Sequence, residues 1–423
     1  MPASNTQIKN VLSMALKSIK PKVPGIPQAV RTVLSNINIL LKKKKIKARA
    51  VLGGSFAKGV YLATDFDVDI FVQFNRKEYS GNNISALLAT AIKPLKPIQV
   101  HGSRDYFQFS KGNIQFEIVP VLEITTPSQA VNVTDCSPLH VAWVRKHINK
   151  LHDDIRDDIR LAKQFLKACG AYGAESYIRG FSGHVIDLLV IMHKGFIPLL
   201  SKAAGWKPPV VIDFSNAHKG KALQRLNPAK IQSPLIIVDP VQPERNASAS
   251  LSIEKFSLFL NSAARFLEKP DPSFFEIHPP DIKKLRKKGL LITITSWPKA
   301  GKRDVAGSKL LQTHELILKE IEPFGIVDSG WYWQPPKPAL LYYILKQTLL
   351  PQTITIAGPP VHLKIHAEAF QKKHPTALPE KNRLVAIEAR KERTITQVLA
   401  RILSSDYIHT RVKRITPHEF KDV

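Results

Sequence analysis

The run Gly53-Gly54-Ser55-Phe56-Ala57-Lys58-Gly59, followed by Asp67-Val68-Asp69, holds residue types that could do chemistry. Gly53, Gly54 and Ser55 leave backbone N–H groups and a hydroxyl free to approach phosphate oxygens. Lys58 adds a positive charge at the same mouth. Asp67 and Asp69 are two positions apart, so on a strand both project from one face. Neighbouring carboxylates repel unless a cation sits between them. A hard divalent ion with oxygen ligands and several waters, Mg2+, suits that pair best. Phosphoryl-type transfer with two metals wants a third carboxylate, and residues 113–118 offer one. There Ile114, Phe116 and Ile118 alternate inward, which leaves Glu117 on the other face. Each piece alone is ordinary: a turn, a solvated strand end, a surface glutamate. Together, with Ser55 and Asp67 twelve positions apart, they read as a nucleotidyl-transfer site.

Such a site needs a sheet to carry it. Short apolar strands are expected at residues 48–52, 68–74 and 114–122, with a helix over 84–92 between the last two. Helical spacing of Ile8, Val11, Leu12, Leu16 and Ile19 precedes them, then Pro21, Pro24 and Pro27, and a second helical pattern that runs to Lys42–Lys45. From about residue 141 to 200 the pattern is helical. Ile155, Ile159, Ala162, Leu166 and Cys169 mark one face, with Gly170 as the stop. A further helix is expected around 181–193. Beyond 270 the chain is basic, Pro-punctuated and strand-rich.

At 423 residues the chain is long enough for roughly three domains. The boundaries expected are 1–140, 141–265 and 266–423. With 62 Lys+Arg against 34 Asp+Glu, the net charge of +28 points to a polyanionic partner, nucleic acid before membrane. Two cysteines, Cys136 and Cys169, argue against a disulfide scaffold and cannot build a cysteine-rich zinc module. No apolar leader is read at the N-terminus, and His193 and Lys194 break the most apolar stretch, so no membrane partner is expected and the cytoplasm is the expected compartment.

The run GGSFAKGVYLATDFDVD resembles the signature of polymerase-β-like nucleotidyltransferases. Further stretches narrow the resemblance: SPLH at 137–140, LAKQFLK at 161–167, GAYGAE at 170–175, RGFSG at 179–183, VDP at 238–240, RN at 245–246 and AGPPV at 357–361. In order, from about residue 30 to 375, they look like the archaeal-type (class I) CCA-adding tRNA nucleotidyltransferases. That resemblance implies an α+β multidomain protein: a catalytic domain with a small mixed sheet, a helical middle domain and an α+β RNA-binding end. It implies template-independent addition of C, C and A to the tRNA 3′ end from CTP and ATP, by two-metal transfer with release of pyrophosphate. Asp67, Asp69 and Glu117 would be the catalytic, metal-binding carboxylates. Gly54, Ser55 and Lys58 would lie on the nucleotide at the glycine turn. His140, Lys163 and Tyr172 would complete that site, Lys163 and Tyr172 on the triphosphate, and Arg245 would help read the base edge. A homodimer belongs to the same expectation.

The family more usually has aspartate at Glu117 and commonly tyrosine at His184. A-adding, CC-adding or poly(A) synthesis on the same scaffold stays open, as does a non-catalytic RNA-binding protein. Lys283–Lys288, Lys299, Lys302, Arg303, Lys372, Arg390, Lys391 and Arg393 are candidates for gripping the tRNA acceptor arm. Trp331, Tyr332 and Trp333 read as core packing before base stacking.

Overall fold

The computed structural model describes residues 4–22, 27–63 and 67–418; Pro24 and residues 64–66 of the signature run lie outside them. The chain divides into two compact units, Met1–Ile277 and His278–Val423.

In the first unit, α1 (Asn5–Ile19) opens with a capping box in which Ser4 and Gln7 satisfy each other's backbone N–H groups. Then come α2 (Gln28–Lys43), β1 (Ala48–Leu52), α3 (Gly54–Lys58), β2 (Asp67–Phe74), α4 (Arg76–Tyr79), α5 (Ile84–Ile92), β3 (Ile98–Val100), β4 (Tyr106–Lys111) and β5 (Ile114–Leu122). The five strands form one sheet in the order β1-β2-β5-β4-β3. β2 and β5 are parallel and the other pairs antiparallel. Val68, Ile70, Val72 and Phe74 are fully buried on one face of β2, packed with Val30, Val33, Ile37 and Leu41 of α2 and Leu88 and Ile92 of α5. Burial of that face fixes the register, because a one-residue slip would carry Asp67 and Asp69 into the core.

The same unit continues with α6 (Ser137–Ile148), α7 (Ile155–Ala168), α8 (Gly183–His193), α9 (Phe196–Ala203), β6 (Val210–Ile212), α10 (Ala222–Arg225), β7 (Leu235–Ile237) and α11 (Ile253–Glu268). Ile155, Ile159, Ala162 and Leu166 are buried as their spacing predicts, and Gly170, at φ +72°, ends the turn after α7 in the left-handed conformation. A second core gathers here around Phe165, Phe181, Phe196, Phe259 and Phe266. Among the described residues no single helix is long and apolar enough to cross a membrane; α8 and α9 match that composition as a pair, but they meet at 94° and are largely buried in this core.

The second unit begins with α12 (Ile282–Arg286), β8 (Leu290–Pro298) and α13 (Arg303–Glu320). β9 (Ile326–Tyr332), β10 (Ala339–Leu345), β11 (Thr353–Pro360), α14 (Lys364–Lys373), β12 (Leu378–Glu380) and β13 (Arg383–Ala389) follow, then α15 (Ile395–Leu403), α16 (Asp406–Arg411) and β14 (Val412–Pro417). It holds a four-stranded sheet, β14-β8-β10-β9, and a three-stranded one, β11-β13-β12. Trp331 and Trp333 pack against the core of the larger sheet, as expected; Tyr332, between them at the end of β9, does not join it, and its hydroxyl donates to Gln334 Oε1 at 3.3 Å. His314 and Tyr343 stack in that sheet's core, where burial pulls His314 down to about 4.

Candidate active site

The parallel register of β2 and β5 sets Asp69 opposite Glu117 and Asp67 opposite Gln115. Paired residues on adjacent strands share a face, so Asp67, Asp69 and Glu117 project together on the side away from the buried valines and isoleucines. Burial, then the charges of Glu117 and Asp67, push the Asp69 carboxyl up to about 7, against the pull of Lys58. Burial also raises Glu117, against the hydrogen bond that its Oε2 accepts from Gln108 at 3.1 Å. The site therefore concentrates more negative charge than its own cations neutralise, which is the donor chemistry a hard divalent ion fits.

The glycine turn closes on this cluster. Gly53 N–H donates to the Asp69 carbonyl at 2.8 Å. A Cβ on Gly54, which has φ +51°, would fall 1.6 Å from Asp69 Oδ2, so only glycine lets the turn lie against the carboxylate. Ser55 and Lys58 follow on α3, and the Phe56 and Tyr61 rings stack at 4.0 Å across the turn.

Helix α7 grips the segment beyond the turn. Buried Arg160 donates to the carbonyls of Gly59 at 2.5 Å and Tyr61 at 3.1 Å, and pairs with Asp157 at 2.5 Å. One helical turn on, Lys163 donates to the Val60 carbonyl at 3.3 Å. The Lys163 ammonium lies 3.3 Å from Asp187 of α8, and Lys58 pairs with the same carboxylate. Burial alone would raise Asp187, but Lys163 and Lys58 outweigh it and hold it below the usual carboxylate range. Burial pulls Lys163 down to about 8, although Asp187 favours its charge.

A second cluster adjoins the first through α8, where His184 and Asp187 are one turn apart. His140 Nε2 lies 2.9 and 3.1 Å from the two oxygens of buried Asp239, His184 Nε2 lies 3.6 Å from Oδ2, and Arg245 Nη1 lies 3.4 Å from the same oxygen. Burial would raise Asp239; the imidazoles of His140 and His184 beside it hold it far below the usual range. Burial lowers His184, which keeps its imidazole neutral. Tyr172 lies between α7 and α8, with Lys167 Nζ 4.7 Å above its ring and its hydroxyl close over Gly183.

Residues 35–133 match the nucleotidyltransferase domain family, and residues 157–276 match the second domain of tRNA nucleotidyltransferases. A CCA-adding enzyme of Nanoarchaeum equitans (strain Kin4-M) is 32% identical over 351 residues, covering 82% of this chain and 85% of that protein. This chain belongs to the CCA-adding enzyme family. Other CCA-adding enzymes, from Methanothermobacter thermautotrophicus and Saccharolobus islandicus, are 27% and 28% identical over 93% and 89% of this chain and 88% of each relative. A solved cytoplasmic RNA terminal U-transferase superposes with a TM-score of 0.50 at 15% identity, over 66% of this chain and 100% of that one. At that identity the likeness shows the fold alone, that of the polymerase-β-like nucleotidyltransferases, α+β and multidomain.

Of the expected residues, Gly54, Lys58, Asp67, Asp69, Glu117 and Lys163 form one group and His140 with Arg245 an adjoining one; Ser55 sits on α3 with Lys58, and Tyr172 lies apart, beside Lys167 and Gly183. Sequence reasoning missed Asp187, Arg160 and the convergence of His140, His184 and Arg245 on Asp239 in this member of the family. Asp187 carried a signal, a lone acid among Val185, Ile186, Leu188 and Leu189 that burial makes costly without a partner. His184 stood out only as a departure from the family's tyrosine.

Proposed function

We propose that this chain adds C, C and A to the 3′ end of tRNA from CTP and ATP, without a nucleic-acid template and with release of pyrophosphate. The observation that carries the reading is the in-register pairing of Asp69 with Glu117 beneath the Gly54 turn, in a chain of the CCA-adding family. Asp67, Asp69 and Glu117 would hold Mg2+, which when bound supplies charge neutralisation at the triphosphate and acidifies the attacking hydroxyl. Glu117, a methylene longer than the family's usual aspartate, reaches the same face from β5.

The chain's own groups orient the reactants. The glycine turn and the Ser55 hydroxyl would cradle phosphate oxygens. Lys58 and Lys163, presented by one buried carboxylate, would stabilise the charge that grows on the leaving pyrophosphate. Tyr172 would border the triphosphate, and His140 and Arg245, both on Asp239, would meet the base edge. Arg245 suits that role, because its planar fork offers fixed donors to a base. Catalysis is then mostly positioning and electrostatics.

The partners on this reading are tRNA, CTP and ATP. The cytoplasm is the proposed site of action, and a homodimer the proposed assembly, for which sedimentation should give a species near twice 47.3 kDa. Purified protein is incubated with tRNA lacking its 3′ CCA and with CTP, ATP or both. Complete CCA ends with both nucleotides are expected; A alone, CC alone or a long A tail would replace this reading. Asp67→Ala should lower incorporation by orders of magnitude and leave tRNA binding intact; retained turnover would refute the carboxylate assignment.

A further inference from the structure

Oδ2 of Asp239 is a point of convergence. His140 Nε2 reaches it at 2.9 Å and His184 Nε2 at 3.6 Å, and the three ligand atoms all lie within 4.8 Å of one another. Ligands on a tetrahedral Zn2+, at bonds of about 2.0–2.1 Å, stand about 3.3 Å apart. The distances to Oδ2 bracket that value. We infer that His140, His184 and Asp239 form a transition-metal site, of the zinc type, separate from the carboxylates of β2 and β5.

Three further observations support it. The other oxygen, Oδ1, accepts the N–H groups of Val241 at 2.9 Å and Gln242 at 3.2 Å, so outer hydrogen bonds orient the carboxylate and leave Oδ2 to the ion. His184 Nε2 is buried and within hydrogen-bond reach of no group, with Asp239 Oδ2 at 3.6 Å, a ring nitrogen that an ion would satisfy. Two imidazole nitrogens with one carboxylate select zinc or a neighbouring transition metal over Mg2+ or Ca2+.

The only cation now facing Oδ2 among these groups is Arg245, at 3.4 Å and with its side chain 48% exposed. A bound ion takes over that compensation and releases the guanidinium toward solvent. Three protein ligands leave a fourth position open.

The whole protein, stripped with a chelator, is titrated with Co2+ and then Zn2+ in excess Mg2+. One equivalent of Co2+ should bind with tetrahedral visible absorption, and Zn2+ should displace it. His184→Tyr should weaken Zn2+ binding about a hundredfold or more. Equal affinity in wild type and a folded His184→Tyr would overturn the inference. Should that variant not fold, X-ray absorption of the zinc-loaded wild type counts imidazoles: two at bonding distance support the site, and fewer than two overturn it.

Discussion

Asp187 offers the sharpest test of how the two lysines are held. Its side chain is fully buried, and those of Lys58 and Lys163 are 10% and 5% exposed. Removing one partner of a buried pair costs about 3–5 kcal/mol, because a charge is left in low dielectric. Lys163 has an escape, since its ammonium already titrates near 8. Releasing that proton at pH 7 costs about 1.4 kcal/mol, so the Lys163 share of the loss is capped there and the Lys58 pair supplies the rest. Asp187→Asn should therefore lower unfolding stability by about 3–5 kcal/mol, a large part of the ~5–15 kcal/mol that a domain commands.

The catalytic effect follows from the same proton. Without the carboxylate that favours its charge, Lys163 titrates lower still, so the neutral amine gains ground as pH rises. A hydrogen bond to a charged group is worth about 1.5–3 kcal/mol, so incorporation should fall about 10- to 150-fold at pH 7. Because acid restores the ammonium, the ratio of wild-type to Asp187→Asn rate should narrow from pH 8 to pH 6. Urea unfolding and nucleotide incorporation into tRNA lacking CCA read both effects. A variant within 1 kcal/mol of wild type at full rate, or a ratio that stays flat with pH, refutes the reasoning.

Gly54→Ala should cost more in activity than in stability: the left-handed backbone costs about 1–2 kcal/mol, while the new methyl displaces the Asp69 carboxylate and incorporation drops at least ~100-fold. Asp69, raised to about 7, binds a proton in the folded metal-free protein that it lacks when unfolded. Metal-free stability from this group therefore falls as pH rises from the ordinary carboxylate range through 7, by at most ~1.4 kcal/mol per pH unit; Mg2+ should raise the melting temperature more at pH 8 than at pH 6, and a reversed order would sink the assignment. His314, held near 4, works the other way: stability is present above its ordinary value near 6.5 and is lost as pH falls toward 4, by ~3 kcal/mol, and His314→Gln should flatten that acid limb in urea titrations. With +28 overall, tRNA affinity should fall about tenfold or more from 50 to 200 mM salt in a filter-binding assay.

What could be read from the sequence was what local pattern determines. β1, β5 and α5 fall where apolar runs and alternation put them, and Glu117 faces away from Phe116 and Ile118 because a strand has a period of two. β3 and β4 escaped notice, since Ile98 is exposed and Gln108, Ser110 and Lys111 dilute the apolar alternation of the second. The site divides in the same way. Asp67 and Asp69 sit in one short motif, whereas Lys58 and Asp187 are 129 positions apart and His140 and Asp239 are 99 apart. Such pairs are products of packing, and only the oddity of a charge in an apolar helix hinted at Asp187.

The hold of Arg160 and Lys163 on the carbonyls of Gly59, Val60 and Tyr61 bears on modularity. A fragment ending near residue 140 would keep every carboxylate yet strip three carbonyls and one ammonium of their buried partners. The catalytic sheet is thus not a cassette that evolution or an engineer can transplant alone: it travels with its helical neighbour, and a graft onto another RNA-binding body must be spliced after α11 rather than after β5.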